Sequence, residues 1–143
     1  MILFAYLVVG VVLVARRPFI EQGYRPDLTG VQCAASCFRL HNETGNIWTH
    51  ALGCAWVCGL AWHGGGGATD RPFSPELVPY ENAVLRAFLL AAAGCLLLSA
   101  CYHAGNCSRD EAHCSALLRL DASGVAILIA ASFLPGVRKF CSL

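Results

Sequence analysis

The chain has 143 residues, of which 57% are hydrophobic and 13% charged, with a formal net charge of +1. A soluble domain of this length carries about a quarter charged residues, so the deficit points to lipid as the surrounding solvent. Near-neutral charge without a basic, aromatic-interleaved patch argues against a nucleic-acid partner.

Nine cysteines suggest a disulfide scaffold, but the count is odd and Cys54, Cys58, Cys95 and Cys101 fall inside apolar runs. There a thiol is a small hydrophobe rather than half of a bridge.

In chain order, Met1 to Ala15 is apolar and is followed by Arg16 and Arg17. It is short for a span, lacks a positive leader and shows no small-residue cleavage site, so residues 1–18 read as an uncleaved anchor, interfacial or signal-like helix. From Gly23 to His50 the chain turns polar and particular. Cys33, Ala34, Cys37, Phe38 and Leu40 supply an apolar side and Arg39 a polar one, as in an amphipathic segment lying on a membrane surface. Asn46, Trp48, Thr49 and His50 then open the first main span.

Three stretches without charge follow, Thr44 to Thr69, Ala87 to Ser108 and Ala122 to Val137. A helix needs about 20 predominantly apolar residues to cross ~30 Å of hydrocarbon, which predicts spans near 46–63, 84–103 and 118–138. The third keeps Arg119 and Asp121 at its polar end. Gly64 to Gly67 form a flexible exit from the first span, and Pro72, Pro75 and Pro79 stiffen the loop after it. Gly53, Gly59, Gly94 and Gly124 allow close helix contact. The predicted class is all-α, a multi-pass transmembrane protein with the bilayer as its first partner.

Arg16, Arg17, Arg25 and Arg39 precede the first main span, and Arg109 and Arg119 lie between the second and third. The loop 64–83 has only Arg71 beside Asp70, Glu76 and Glu81. Basic residues stay in the cytoplasm, which puts 16–45 and 104–117 inside and 64–83 outside. Arg138 and Lys139 then fall on the outer side, against the rule. Asn42-Glu43-Thr44 and Asn106-Cys107-Ser108 are formal glycosylation sequons that the inside assignment leaves unused.

Ser99 and His103 stand four apart in the second apolar run, so a helix puts both on one face. Asp121 opens the third run, and a short connection returns it toward the level of His103. Polar groups at a bilayer boundary are costly unless paired and mark a functional-site candidate. The plain alternative is a helix-terminal His and Asp that meet headgroups and water. His103, Cys107, His113 and Cys114 cluster in sequence, but their spacing matches no common zinc-ligand pattern. Cys33/Cys37 and Cys54/Cys58 are i, i+4 pairs suited to packing or S-palmitoylation. His41 and His50 read as hydrogen-bonding interface residues, and His63 as solvated.

Gly23-Tyr-Arg-Pro26, Phe38-Arg-Leu-His-Asn-Glu-Thr-Gly-Asn-Ile-Trp-Thr-His50, Ser99-Ala-Cys-Tyr-His103, Arg119-Leu-Asp121-Ala-Ser-Gly124 and Ser132-Phe-Leu-Pro135 occur together in this order. Together these blocks closely resemble the signature of the progestin and adipoQ receptor family, the seven-helix proteins that include the adiponectin receptors. The resemblance covers residues 19 to about 138, with the wording of His41 to His50 nearest the member-4 type.

The resemblance implies that His103 is one of three histidines binding Zn(2+) near the cytoplasmic face. It implies that Asp121 lies beside a metal-bound water, and that Ser99 belongs to the Ser-His-Asp set shared with ceramidase-like membrane hydrolases. The family's other two zinc ligands come from a His-x-x-x-His in the last helix, and no such pair follows His103 here. On this reading residues 19–143 are the N-terminal part of the membrane domain, four helices are missing, and the chain is inactive alone. The implied function of the complete protein is signalling receptor activity, with zinc-dependent ceramidase-type amide hydrolysis and a ceramide-type lipid or hormone as ligand. Its implied location is Golgi or plasma membrane. A non-catalytic membrane scaffold or trafficking protein of the same fold is the alternative.

Overall fold

The computed structural model describes residues 22–64 and 79–141, with side chains for 22–63 and 82–134. The predicted anchor at 1–18 and most of the loop at 64–83 lie outside these residues. Among the described residues there are four helices, α1 (Gly30–Ser36), α2 (Thr44–Gly64), α3 (Pro79–Gly105) and α4 (Glu111–Cys141). No strand occurs among the described residues, only one isolated parallel bridge between Leu28 and Ser108. The regular structure of the described residues is all-helical, as the charge-free stretches predict.

Local chemistry sets the helix starts. The backbone N–H of Thr29 donates to Gln32 Oε1 at 3.0 Å, closing the first turn of α1. α3 opens at Pro79, a residue favoured at the first helical position because it leaves no N–H unsatisfied. α4 begins at Glu111, well before the apolar run, because Asp110 Oδ1 accepts from the N–H groups of Ala112 (3.0 Å) and His113 (3.2 Å). Glu111 in the first turn adds favourable charge at the positive end of the helix. His113 and Cys114 therefore belong to α4, and the connection to α3 is only residues 106–110.

α3 is the middle element, packed against α2 on one side and α4 on the other, with α1 against it as well. Small residues make the packing close. A Cβ on Gly53 would sit 3.4 Å from Leu96, and one on Gly124 only 3.1 Å from Cys95 Cα and 3.2 Å from Leu98. We expect Gly124→Val to force α3 and α4 apart at a cost of about 1–3 kcal/mol. Thermal unfolding in detergent micelles would measure it, and an unchanged melting temperature would contradict this packing.

Two helical stretches, Asn82–Gly105 and Glu111–Leu134, are each long and apolar enough to cross a bilayer, and only 11% of either apolar window is buried within the protein. The core of a soluble helix would be mostly buried. Here Leu90, Leu97, Val125, Ile127, Ile129 and Phe133 face outward instead. A surface of that kind on continuous helices, whose backbone groups are satisfied internally, suits hydrocarbon rather than water. α2 is 21 residues long but carries Trp48, Trp56, Trp62, His50 and His63, which lower its hydropathy.

Candidate functional site

The end of α3 is a meeting point for charged and polar side chains from three parts of the sequence. His103 lies in the last turn of α3. Its Nδ1 is 2.9 Å from Glu43 Oε2, and the two side chains are only 16% and 15% exposed. A carboxylate can only accept, so Nδ1 carries the proton in this contact and Nε2 points away from Glu43. Asn46 Nδ2 donates to the same Glu43 oxygen at 2.6 Å, and Asn42 Nδ2 to the other at 3.1 Å. The hydrogen bond with His103, helped by Asn46, the charge of His103 and Asn106, holds the Glu43 carboxyl down at about 2 against the opposing effect of burial. Glu43 is thus an anion at neutral pH.

A second charge completes the cluster. Arg25 Nη1 donates to Ser36 Oγ and to Ala104 O, both at 2.9 Å. Its Nη2 donates to His103 O at 2.6 Å and to Asn106 Oδ1 at 2.8 Å. The carbonyls at the end of a helix have no intrahelical partner, and a cation there also meets the negative end of the helix dipole. Arg25 satisfies both conditions for α3. The segment that carries it is held by Gly23, whose φ of +84° a residue with a side chain rarely adopts, and whose carbonyl accepts the Asn42 N–H at 2.9 Å. It is held again by Leu28, which pairs with Cys107 (2.8 Å) and Arg109 (3.0 Å) through the backbone.

Two further histidines belong to the same cluster. The His50 ring centroid lies 5.5 Å from that of His103, tilted by 57°. His41 Nδ1 accepts the Glu43 N–H at 3.1 Å, while burial, and then the charge of Arg25, push its imidazole below the ordinary value. His41 Nε2 and His50 Nδ1 are enclosed without a hydrogen-bond partner.

The residues singled out from sequence separate by level. Ser99 lies one turn below His103 on α3, and its hydroxyl has no hydrogen bond among the described residues. Gly124 of α4 packs on Cys95 and Leu98, so Asp121, one turn nearer the helix start, is level with the Ser99 turn. Asp121 is also within electrostatic range of Cys95. Asp121 and His103 therefore occupy the same half of the α3–α4 hairpin, with Asp121 set deeper.

The amphipathic segment expected before α2 divides differently. Cys33 and Ser36 are buried, whereas Val31, Phe38 and Leu40 face outward, and Phe38 sits edge-on to Trp48 at 5.8 Å. Sequence reasoning missed Glu43 and Arg25 as site residues. The available signal was a carboxylate and a guanidinium beside apolar runs, where an unpaired charge would be costly.

The fit to zinc is partial. A zinc-binding histidine usually donates its other ring N–H to a carboxylate, and Glu43 provides that for His103. Among the described residues, however, no group of three or more His, Cys, Asp or Glu is gathered to hold a metal. One imidazole does not make a zinc site, so no chemical step follows from these residues alone.

The architecture is that of a multi-pass helical membrane protein with a polar cluster at one end of its central helix. Residues 38–139 match the family model described as haemolysin-III related. The adiponectin receptor protein of Drosophila melanogaster is 40% identical over 118 residues, covering 82% of this chain and 25% of that protein. Progestin and adipoQ receptor-like protein 1 of Caenorhabditis elegans is 35% identical over 121 residues, covering 83% of the chain and 26% of that protein. Human progestin and adipoQ receptor family member 3 is 32% identical over 126 residues, covering 84% of the chain and 38% of that protein. The chain belongs to this haemolysin-III-related, progestin and adipoQ receptor family. It spans 25% to 38% of the length of these three relatives.

Proposed function

We propose that the chain is the N-terminal part of a seven-helix receptor-like protein in which His103 supplies one ligand of a zinc ion. The observation that carries this reading is the Glu43–His103 pair, which fixes the imidazole and leaves Nε2 as its metal-binding nitrogen. The remaining ligands would come from outside the residues of this segment. Zinc, when bound, supplies Lewis acidity for the attack of water on an amide.

The chain's own residues have separable tasks. Glu43 orients and polarises the His103 ring, and Arg25 fixes the backbone beneath it. Asp121 offers a carboxylate to hold or accept a proton, and Ser99 a hydroxyl to donate a hydrogen bond, both a turn deeper than the imidazole. The proposed activity is signalling as a membrane receptor, coupled to ceramidase-type amide hydrolysis of a lipid, in a Golgi or plasma membrane. The names of the relatives, adiponectin receptor and progestin and adipoQ receptor, support the receptor part.

Metal analysis of the purified full-length protein, with and without His103→Ala, tests the proposal. Stoichiometric zinc that is lost on substitution is the expected result. Absence of metal from both forms would overturn it, and would favour a non-catalytic membrane scaffold or trafficking role.

A further inference from the structure

Cys33 and Cys107 are 74 residues apart in sequence, yet Cys107 Sγ is 3.2 Å from Cys33 Sγ. Cys33, near the middle of α1, is 4% exposed, and Cys107 lies in the short connection between α3 and α4. All eight described cysteines are thiols, and this pair joins segments far apart in the sequence.

The backbones on both sides are fixed close to the sulfurs. Leu28 N donates to Cys107 O at 2.8 Å, Arg109 N to Leu28 O at 3.0 Å, and Cys33 N to Thr29 O at 2.8 Å. A disulfide bond is about 2 Å long, so the sulfurs need to close by roughly 1 Å, which side-chain rotation can supply.

We propose that Cys33 and Cys107 are a redox-active dithiol that closes to a disulfide when hydrogen peroxide removes two electrons. Burial and the neighbouring thiol push the Cys107 thiol up to about 12, so Cys107 keeps its proton, and in the proposed order Cys33 is the sulfur that meets the peroxide. The Cys33 sulfur, having released its proton, attacks one peroxide oxygen. The O–O bond breaks, the leaving oxygen departs as water, and Cys33 becomes a sulfenic acid. The Cys107 sulfur then attacks the Cys33 sulfur. The S–S bond forms, the S–O bond breaks, and the hydroxyl leaves as a second water with the Cys107 proton. Two thiols and one peroxide give one disulfide and two waters.

The bond would tie α1 covalently to the α3–α4 connection, beside the Arg25 contacts at the end of α3. The inference is independent of zinc, because neither sulfur belongs to the Glu43–His103 pair.

The full-chain protein in detergent micelles is treated with hydrogen peroxide, denatured, alkylated and digested for mass spectrometry. The expected product is a peptide pair joining Cys33 to Cys107, lighter than the two free peptides by two hydrogens. Dithiothreitol should return both cysteines to alkylation. Cys107→Ser should abolish the cross-link and leave a Cys33 sulfenic acid that dimedone traps. If that variant fails to fold, mapping of the wild-type protein still decides. Recovery of both cysteines as alkylated thiols after exposed Cys58 and Cys101 have oxidised would overturn the proposal. So would Cys33 joined to a different cysteine.

Discussion

Arg25→Ala should be the most damaging single substitution at the end of α3, lowering stability by about 3 kcal/mol or more. The guanidinium serves four acceptors at 2.6 to 2.9 Å, two of them the terminal carbonyls of His103 and Ala104. Truncation leaves these groups in a half-buried place where water replaces the planar fork poorly, and removes a cation from the negative end of the helix. It also frees residues 22–28 from the hairpin, which they otherwise meet through Leu28. Arg25→Lys should recover only part of the loss, since an ammonium cannot present paired donors to divergent acceptors. Thermal unfolding in micelles would read both variants. An unfolding free energy for Arg25→Ala within about 0.5 kcal/mol of wild type, the range of an ordinary surface change, would refute the network.

Glu43→Gln is expected to separate orientation of the imidazole from folding of the helix. The amide keeps the size of the side chain but gives up the charge that accepts from His103 Nδ1, at 2.9 Å in the native pair. On the proposed function, zinc affinity of the full-length protein should fall by about 10- to 100-fold, the usual effect of losing such a partner. Helical content should be unchanged. Glu43→Ala should in addition cost about 2 kcal/mol, because His103, Asn42 and Asn46 lose a common anion. Competition with a zinc chelator while circular dichroism monitors helicity would make the distinction. Unaltered affinity in Glu43→Gln would show that the carboxylate has no part in preparing His103.

The helices were legible because each has a local cause. Charge-free runs of sufficient length give α3 and α4, and the start of α4 at Glu111 follows from Asp110 as a capping residue, a signal outweighed in the sequence reading by the later apolar run. Ser99 and His103 were placed on one face by helical spacing alone. What the sequence did not disclose is contact between distant segments. Glu43 meets His103 across 60 residues, and Arg25 reaches Asn106 across 81. No periodicity encodes such pairs, since they arise only when α2 and the 22–43 segment pack on α3. The cysteines show the same limit. Cys107 was grouped by proximity in sequence with His113 and Cys114, while in space it faces Cys33. Cys114 instead lies against the carbonyls of Gly105 and Ser108.

The carboxamides of Asn42 and Asn106 are already committed. Asn42 uses its Nδ2 to donate to Glu43, and Asn106 uses its Oδ1 to accept from Arg25. An oligosaccharide at Asn42 would be joined through that same nitrogen and would crowd a sugar against the anion. The glycosylated nitrogen keeps one N–H for Glu43, but the sugar would stand at the edge of the charge cluster, so the occupancy of that asparagine in cells reports which compartment this rim faces.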